Sequence, residues 1–298
     1  MNDSSHHLLI AVDGGGTGCR AAIGTPARGV IARADAGRAN VASDPDLAIQ
    51  NVIEAIEKAA QSAGIAPDAL PRATAHLGLA GVMTPHDSAR VAAALPYRRV
   101  VVTDDRPTAV AGALGDQNGA LLSIGTGSII AARAAGRFRF VGSWGFHVSD
   151  QGSGAWLGRA ALIQVLLCHD GIEAHSPLTR HILAQFGDDP NAIVAFSMSA
   201  KAGDYATLAP EIVAQAHAGD PWGRTIMATG ATYLARGLAQ VGFVPGETLC
   251  LTGGVGPHYA EYLPPELLVG LAPARGNALD GAFHLALLNA TTTAETAP

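Results

Sequence analysis

The chain has 298 residues, enough for one large domain or two smaller ones. Its 48% hydrophobic content allows an ample core, and a charged fraction of only 15% argues against long disordered arms. A net charge of −6 gives no reason to expect nucleic acid or an acidic membrane surface as a partner.

In chain order, the paired His6-His7 reads as a solvated tail, without a signal-peptide pattern around it. Residues 8–13 are an apolar strand ending in Asp13, and the glycine turn Gly14-Gly15-Gly16-Thr17-Gly18 follows at once. Strands are expected at 20–24 and 29–35. A helix over about 46–63 places Ile49, Val52, Ile53 and Ile56 on one face, with Pro45 at its start. A strand at 75–79 closes in Ala80-Gly81. A short helix at 86–95 and a strand at 99–103 ending in Asp104-Asp105 follow, then a helix through 109–114.

The same order recurs in the second half. A strand at 119–124 runs into a second glycine turn, Gly125-Thr126-Gly127-Ser128, and strands at 128–134 and 138–142 come next. Helices are expected over much of 154–242. A strand at 247–251 ends in Thr252-Gly253-Gly254, with a last strand at 267–271 and a last helix at 277–288. The polar end, 291–298, reads as frayed. Each half thus predicts three meandering strands and two crossovers, an α/β architecture of two mixed sheets flanked by helices, with a cleft between the halves. The expected domains are 1–115 and 116–298, the second carrying the helical insertion. An alternative packs the last helix back on the N-terminal domain.

The two glycine turns suit a duplicated phosphate-binding unit, because each follows an apolar strand and carries a hydroxyl. A dinucleotide fingerprint does not fit: a strand, not a helix, follows the first turn, and the GxGxxG spacing is missed. A P-loop does not fit either, since the two lysines, Lys58 and Lys201, lie away from both turns. Phosphate charge would then fall to backbone amides and a cation such as Mg²⁺, with Asp13 its partner through water. A plain hairpin turn is the alternative for the 13–18 loop.

Asp104-Asp105, at the end of a strand, suits proton abstraction from an acceptor hydroxyl, or else the capping of the next helix. Residues 142–154 mix aromatic, Ser, Asp, Gln and Gly, which suits a hydroxyl-rich ligand, while Asp150 or Ser153 is also a candidate helix cap. Cys19, Cys168 and Cys250 are scattered with no CxxC pair, so neither zinc nor an iron–sulfur site has support, and reduced thiols in a cytoplasmic protein are expected. No apolar run reaches the ~18 residues of a membrane helix.

Taken together, DGGGTG at 13–18, the acids at 104–105, IGTGS at 124–128, SWG at 143–145, DQGSG at 150–154 and LTGGV at 251–255 resemble the actin, hexokinase and sugar-kinase superfamily. The nearest resemblance is to the N-acetylglucosamine kinase and BadF-type ATPase family, and it covers almost the whole chain. That resemblance implies two ribonuclease H-like domains, ATP and Mg²⁺, and phosphate transfer to the 6-hydroxyl of an amino sugar, N-acetylglucosamine ahead of glucosamine or another hexose. It implies that Asp13, Gly14, Gly15, Gly16 and Thr17 form the first phosphate loop, with Asp13 on the metal side. Gly125, Thr126 and Gly127 would form the second loop, and Gly253 and Gly254 the adenosine turn. Asp105 would be the base and a sugar contact, though the family often has Asn or Thr where Asp104 stands. Asn40, Ser128, Trp144, Gly145 and Asp150 would complete the sugar site. A homodimer is also implied. Two rival functions remain, an ATPase that activates an acyl-CoA dehydratase or reductase, and a non-catalytic sugar sensor. The cysteines do not resemble the cluster ligands of the first. For the second, no helix-turn-helix arm precedes residue 8, and an intact Asp105 favours an enzyme.

Overall fold

The computed structural model describes residues 7–97 and 99–295. They fall into two compact units, Met1–Asp116 with Ala274–Pro298, and Gln117–Pro273. In the first unit, β1 (Leu9–Gly14), β2 (Cys19–Thr25) and β3 (Gly29–Ala36) form an antiparallel meander. Helix α1 (Pro45–Ser62) crosses to β4 (Thr74–Leu79), and α2 (Pro85–Ala94) crosses to β5 (Arg99–Thr103). Both crossovers return parallel strands, so the sheet order is β3-β2-β1-β4-β5. Helix α3 (Asp105–Leu114) follows.

Local chemistry explains the helix starts. Asp44 caps α1 by accepting from the Leu47 N–H, and Pro45 takes the first helical position, where no N–H is needed. Thr84 and Asp87 form a reciprocal capping box at α2. Val52, Ala55, Ile56 and Ala59 bury the inner stripe of α1 against the sheet.

The second unit holds β6 (Gly119–Ile124), β7 (Ser128–Ala134), β8 (Arg137–Val141) and β9 (Thr248–Thr252), in the order β8-β7-β6-β9. Between β8 and β9 run α4 (Gly154–His169), α5 (Pro177–Gln185), α6 (Pro190–Ser199), α7 (Ala202–Ala206), α8 (Ala209–His217) and α9 (Pro221–Gln240). Leu122, Ile124, Leu157, Val165, Ile212 and Leu234 anchor one core between these helices and the sheet. The expected two mixed sheets flanked by helices are present.

The strand expected at 267–271 is not formed. Pro265–Leu268 is a 3-10 turn, and only one bridge, Leu249 to Leu271, continues the sheet beyond β9. Pro264 and Pro265 remove two donors, and Pro273 removes another just past the bridge, which leaves too short a run to pair.

Helix α10 (Ala278–Glu295) belongs to the first unit, where it packs on α3, β1 and β4. Leu279 and Ala282 bury against Ala11 and Ala22. The helix continues through Glu295, so residues 291–295 are helical rather than frayed, and 296–298 lie outside the described residues. His7 is likewise no loose tail, because its Nε2 lies 2.7 Å from the Thr74 hydroxyl; His6 lies outside the described residues. Among the described residues no helix is long and apolar enough to cross a membrane.

The contact of α3 with α10 runs through bare backbone. A Cβ on Gly281 would stand 1.9 Å from the Thr108 carbonyl oxygen, and one on Gly112 would stand 2.0 Å from that of Asn277. Gly281→Ala should therefore destabilise the protein by about 1–3 kcal/mol through overpacking. An unchanged urea midpoint in that variant would contradict this account of the helix pair.

Candidate functional site

The first unit gathers its polar groups at one end of its sheet. Asp13 on β1 lies level with Gly78 on β4, and Gly78 lies level with Thr103 on β5. Parallel strands that end together deliver their following loops to the same edge, where α/β proteins build their sites. Four residues, 15–18, link β1 to β2, closed by the Gly15 N–H donating to the Gly18 carbonyl at 2.8 Å. The N–H groups of Gly16 and Thr17 donate to no acceptor among the described residues. Gly14 itself is part of β1, where a Cβ would come within 2.6 Å of Leu79. Its bareness serves packing, and Gly15 and Gly16 open the loop.

Arg20 stands opposite Asp13 across the β1–β2 hairpin, and the two side chains form an ion pair. Asp35 is the next residue in that row, on β3. Asp13, Thr17, Arg20 and Asp35 border a cavity of about 380 Å³ at the loop. The sequence alone pointed to no basic side chain at this loop, only to amides and a metal cation, and Arg20 went unnoticed. The signal was available, since closing the hairpin tightly on 15–18 pairs residue 13 with residue 20.

The structure separates the roles of the two adjacent acids. Asp104 is the N-cap of α3 and accepts from the Arg106 backbone N–H at 3.0 Å. It also takes a two-pronged hydrogen bond from the Arg106 guanidinium, at 2.7 and 3.1 Å. Asp105, the first residue of α3, has no side-chain partner beyond its own backbone N–H among the described residues. Burial pushes its carboxyl above the usual carboxylate range, and the charges of Asp104 and Asp13 add to that. The first turn is fixed by Thr108, whose buried hydroxyl donates to the Asp105 carbonyl at 2.9 Å. Gly78 makes room for it, as a Cβ there would lie 2.3 Å from the Thr108 hydroxyl oxygen.

Asn40 reaches the same edge. Ala39 N–H donates to the Gly15 carbonyl and Val41 N–H to the Ala80 carbonyl, both at 2.9 Å, which stitches its loop to the ends of β1 and β4. The Asn40 Oδ1 accepts from the Ser43 N–H at 3.1 Å. Asp13, Asn40 and Asp105 are thus assembled on one unit.

In the second unit, residues 125–127 join β6 to β7, and the Thr126 and Gly127 N–H groups donate to no acceptor among the described residues. Gly154 N–H, at the start of α4, donates to the Gly125 carbonyl at 2.8 Å. Gly253, at φ +80°, lies against the end of β6, where a Cβ would be 2.3 Å from the Ile124 carbonyl oxygen. These pieces border a cavity of about 580 Å³, walled by Ala209, Pro210, Val213 and Val255, with His217 and Glu261 in its lining. The free amides and the N-terminus of α4 offer an anion a ready site. The helical wall was invisible in the sequence, because α8 has no polar signature of a site.

The 142–154 segment folds onto this loop. Ser143, at φ +61°, donates its hydroxyl to the Ser128 carbonyl at 2.7 Å. Asp150, at φ +60°, accepts from the Gly145 N–H at 3.3 Å and faces Gly127, where a Cβ would come within 3.0 Å of its Oδ2. Burial raises the Asp150 carboxyl as well. Left-handed backbone at two non-glycine residues is strain held by these contacts. The Ser128 hydroxyl is buried with no partner among the described residues, and Trp144 is 77% exposed. Ser153 rather than Asp150 caps α4, accepting from the Trp156 N–H at 3.2 Å.

The model of the BadF/BadG/BcrA/BcrD ATPase family matches residues 10–262. The chain is 32% identical over 281 residues to Glucosamine kinase GspK of Vibrio cholerae serotype O1, covering 94% of this chain and 96% of that protein. A candidate N-acetylglucosamine kinase from Chromobacterium violaceum superposes with a TM-score of 0.83 at 31% identity, covering 94% of this chain and 99% of the other. A second one, from Porphyromonas gingivalis, has a TM-score of 0.66 at 22% identity over 96% and 99% of the two chains, a likeness of fold.

Asp105 and Asp150 both have carboxyls raised by the fold, whereas unfolded carboxyls titrate near ~3.9. Each holds its proton more tightly when folded, so its contribution is fully present below the unfolded pKa and is lost as pH rises through the folded one. Asp105→Asn should raise the melting temperature at pH 7, and the gain should shrink as pH falls toward ~4. Parallel melting curves for the two proteins from pH 4 to 8 check this.

Proposed function

From the premise that the chain belongs to the BadF/BadG/BcrA/BcrD ATPase family, we propose that it transfers the γ-phosphoryl group of ATP to the 6-hydroxyl of an amino sugar. The protein is an ATP-dependent sugar kinase of the glucosamine and N-acetylglucosamine kinase type. N-acetylglucosamine is the first acceptor proposed. Glucosamine is the second reading, favoured by the 32% identity to the Vibrio kinase.

The observation that carries the proposal is the state of Asp105. It is a carboxylate at a strand end, fixed by the first turn of α3, with its proton affinity raised by burial and its acidic neighbours despite the nearby charge of Arg106. A base whose pKa is pushed toward neutrality is well matched to taking the acceptor hydroxyl's proton as the oxygen attacks phosphorus. Asp104 cannot share this task easily, because Arg106 holds both its oxygens. Asn40, on the same edge, orients sugar hydroxyls.

In each unit a glycine loop offers free amides to phosphate oxygens, Gly16 and Thr17 in the first and Thr126 and Gly127 in the second. The apolar cavity beside Gly254 takes the nucleoside. Among the described residues no three His, Cys, Asp or Glu side chains cluster as a metal cage. Asp13 alone at a loop fits Mg²⁺, which keeps most of its waters and leans on phosphate oxygens. When bound, Mg²⁺ would offset charge on the transferring group. Arg20 holds Asp13 in place and adds a positive charge at the loop. Transfer of this kind depends mainly on positioning and electrostatics, which these groups supply. The activator reading finds no help in the cysteines, since Cys19, Cys168 and Cys250 are all buried.

The test is an ATP-coupled assay across N-acetylglucosamine, glucosamine, N-acetylmannosamine and glucose, with and without Mg²⁺. Turnover should require an amino sugar, and phosphorus NMR of the product should place the phosphate on the 6-oxygen. Asp105→Asn should lower kcat by roughly 100-fold or more. ATP hydrolysis indifferent to every sugar, or near-full activity in Asp105→Asn, would overturn the reading.

A further inference from the structure

His76 lies in β4, 4% exposed, and nothing in the chemistry above uses it. It stands opposite Val101 on β5, so Thr103 lies two residues further along the same face. Its Nε2 is 3.4 Å from the Thr103 hydroxyl oxygen, and its Nδ1 is 3.1 Å from Nδ2 of Asn289 on α10. Burial pushes the imidazole down to about 4, so the ring is neutral and carries one N–H.

The partners decide which nitrogen holds the proton. The Asn289 amide donates to Nδ1, so Nδ1 is an acceptor and Nε2 is the donor. Nε2–H then donates to the Thr103 oxygen. The Thr103 hydroxyl is left to donate its own proton, and the Asp104 carbonyl lies 2.8 Å away. The result is a one-way row of donors, from Asn289 to His76 to Thr103 to the carbonyl of the Asp104–Asp105 peptide. All its members lie in the first unit. A chain of buried hydrogen bonds of this kind strengthens its own members and is expensive to break in the middle.

We propose that His76 and Thr103 are positioning residues, which carry the anchorage of α10 to the peptide on which Asp105 is hung. Asp105 is gripped from the other side by Thr108, which bonds its carbonyl. The first turn of α3 is therefore held at two successive carbonyls, one by each threonine. Thr103 removes rotational freedom before the acid and Thr108 removes it after. This inference rests on the kinase reading for its effect on rate, but its structural content does not need that reading.

Two readouts separate the two. Amide hydrogen exchange over residues 104–108 needs no substrate. Thr103→Val keeps the shape and removes the hydroxyl, and it should speed exchange in that segment by about tenfold, the usual effect of one lost hydrogen bond. Thr103→Ser should restore it. With the acceptor sugar that the assay identifies, Thr103→Val should lower kcat by about tenfold and leave KM for ATP and sugar within about twofold, again with rescue by Thr103→Ser. His76→Leu should act on the same path, so the double variant should lose little more than either single one. Unchanged exchange at 104–108 in Thr103→Val overturns the relay whether or not the protein phosphorylates a sugar. So does a kcat loss that serine fails to rescue, or losses that multiply in the double variant. If His76→Leu does not fold, the valine and serine pair at Thr103 decides alone. A wild-type protein without sugar-dependent turnover would overturn the kinase reading and leave the exchange test to decide the relay.

Discussion

The level ending of three parallel strands is the constraint on which the first unit depends. Asp13, Gly78 and Thr103 share one row across β1, β4 and β5, so each strand must release its chain at the same edge. Loop 15–18, the Asn40 loop and the first turn of α3 all arrive there. Crowding three acids into that space is electrostatically unfavourable, and the structure answers it with two arginines. Arg20 pairs with Asp13 and Arg106 with Asp104. Asp105 is near enough to Arg106 to feel its charge, but burial and the acidic neighbours Asp104 and Asp13 outweigh it and raise its proton affinity. The buried acid of raised proton affinity thus emerges from neutralising the acids around it.

The second unit begins with the same meander and reaches a different end. Its central hairpin, β6 to β7, carries a shorter glycine loop with two free amides. Six helices intervene where the first unit has the single helix α1, and α8 supplies the apolar wall of a cavity of about 580 Å³. The sheet stops at four strands among the described residues because prolines interrupt the segment that would have extended it. Strain at Ser143 and Asp150 is sustained by hydrogen bonds to Ser128 and Gly145. The segment is held rather than loose.

Much of this was legible beforehand. Alternation and apolar runs located all nine strands of the described residues to within a residue or two, since a strand's period is local. The two glycine loops were legible because a tight turn beside a strand needs small residues. The segment at 267–271 misled, as its apolar run reads as a strand while the flanking prolines forbid its pairing. His7 misled for another reason, because the Thr74 hydroxyl that holds it lies 67 residues away in the chain.

What the sequence by itself determined were the turns, the strand periods, the helix caps at Asp44 and Thr84, and the presence of acids at strand ends. Each depends on residues within a few positions of one another. Only the tertiary structure decided that Arg20 faces Asp13, that Asp104 caps while Asp105 stands free, that α10 joins the first unit, and that His76 links it to Thr103. Those outcomes depend on register and burial between distant segments, and a charge or a buried proton takes its meaning from whatever is brought beside it.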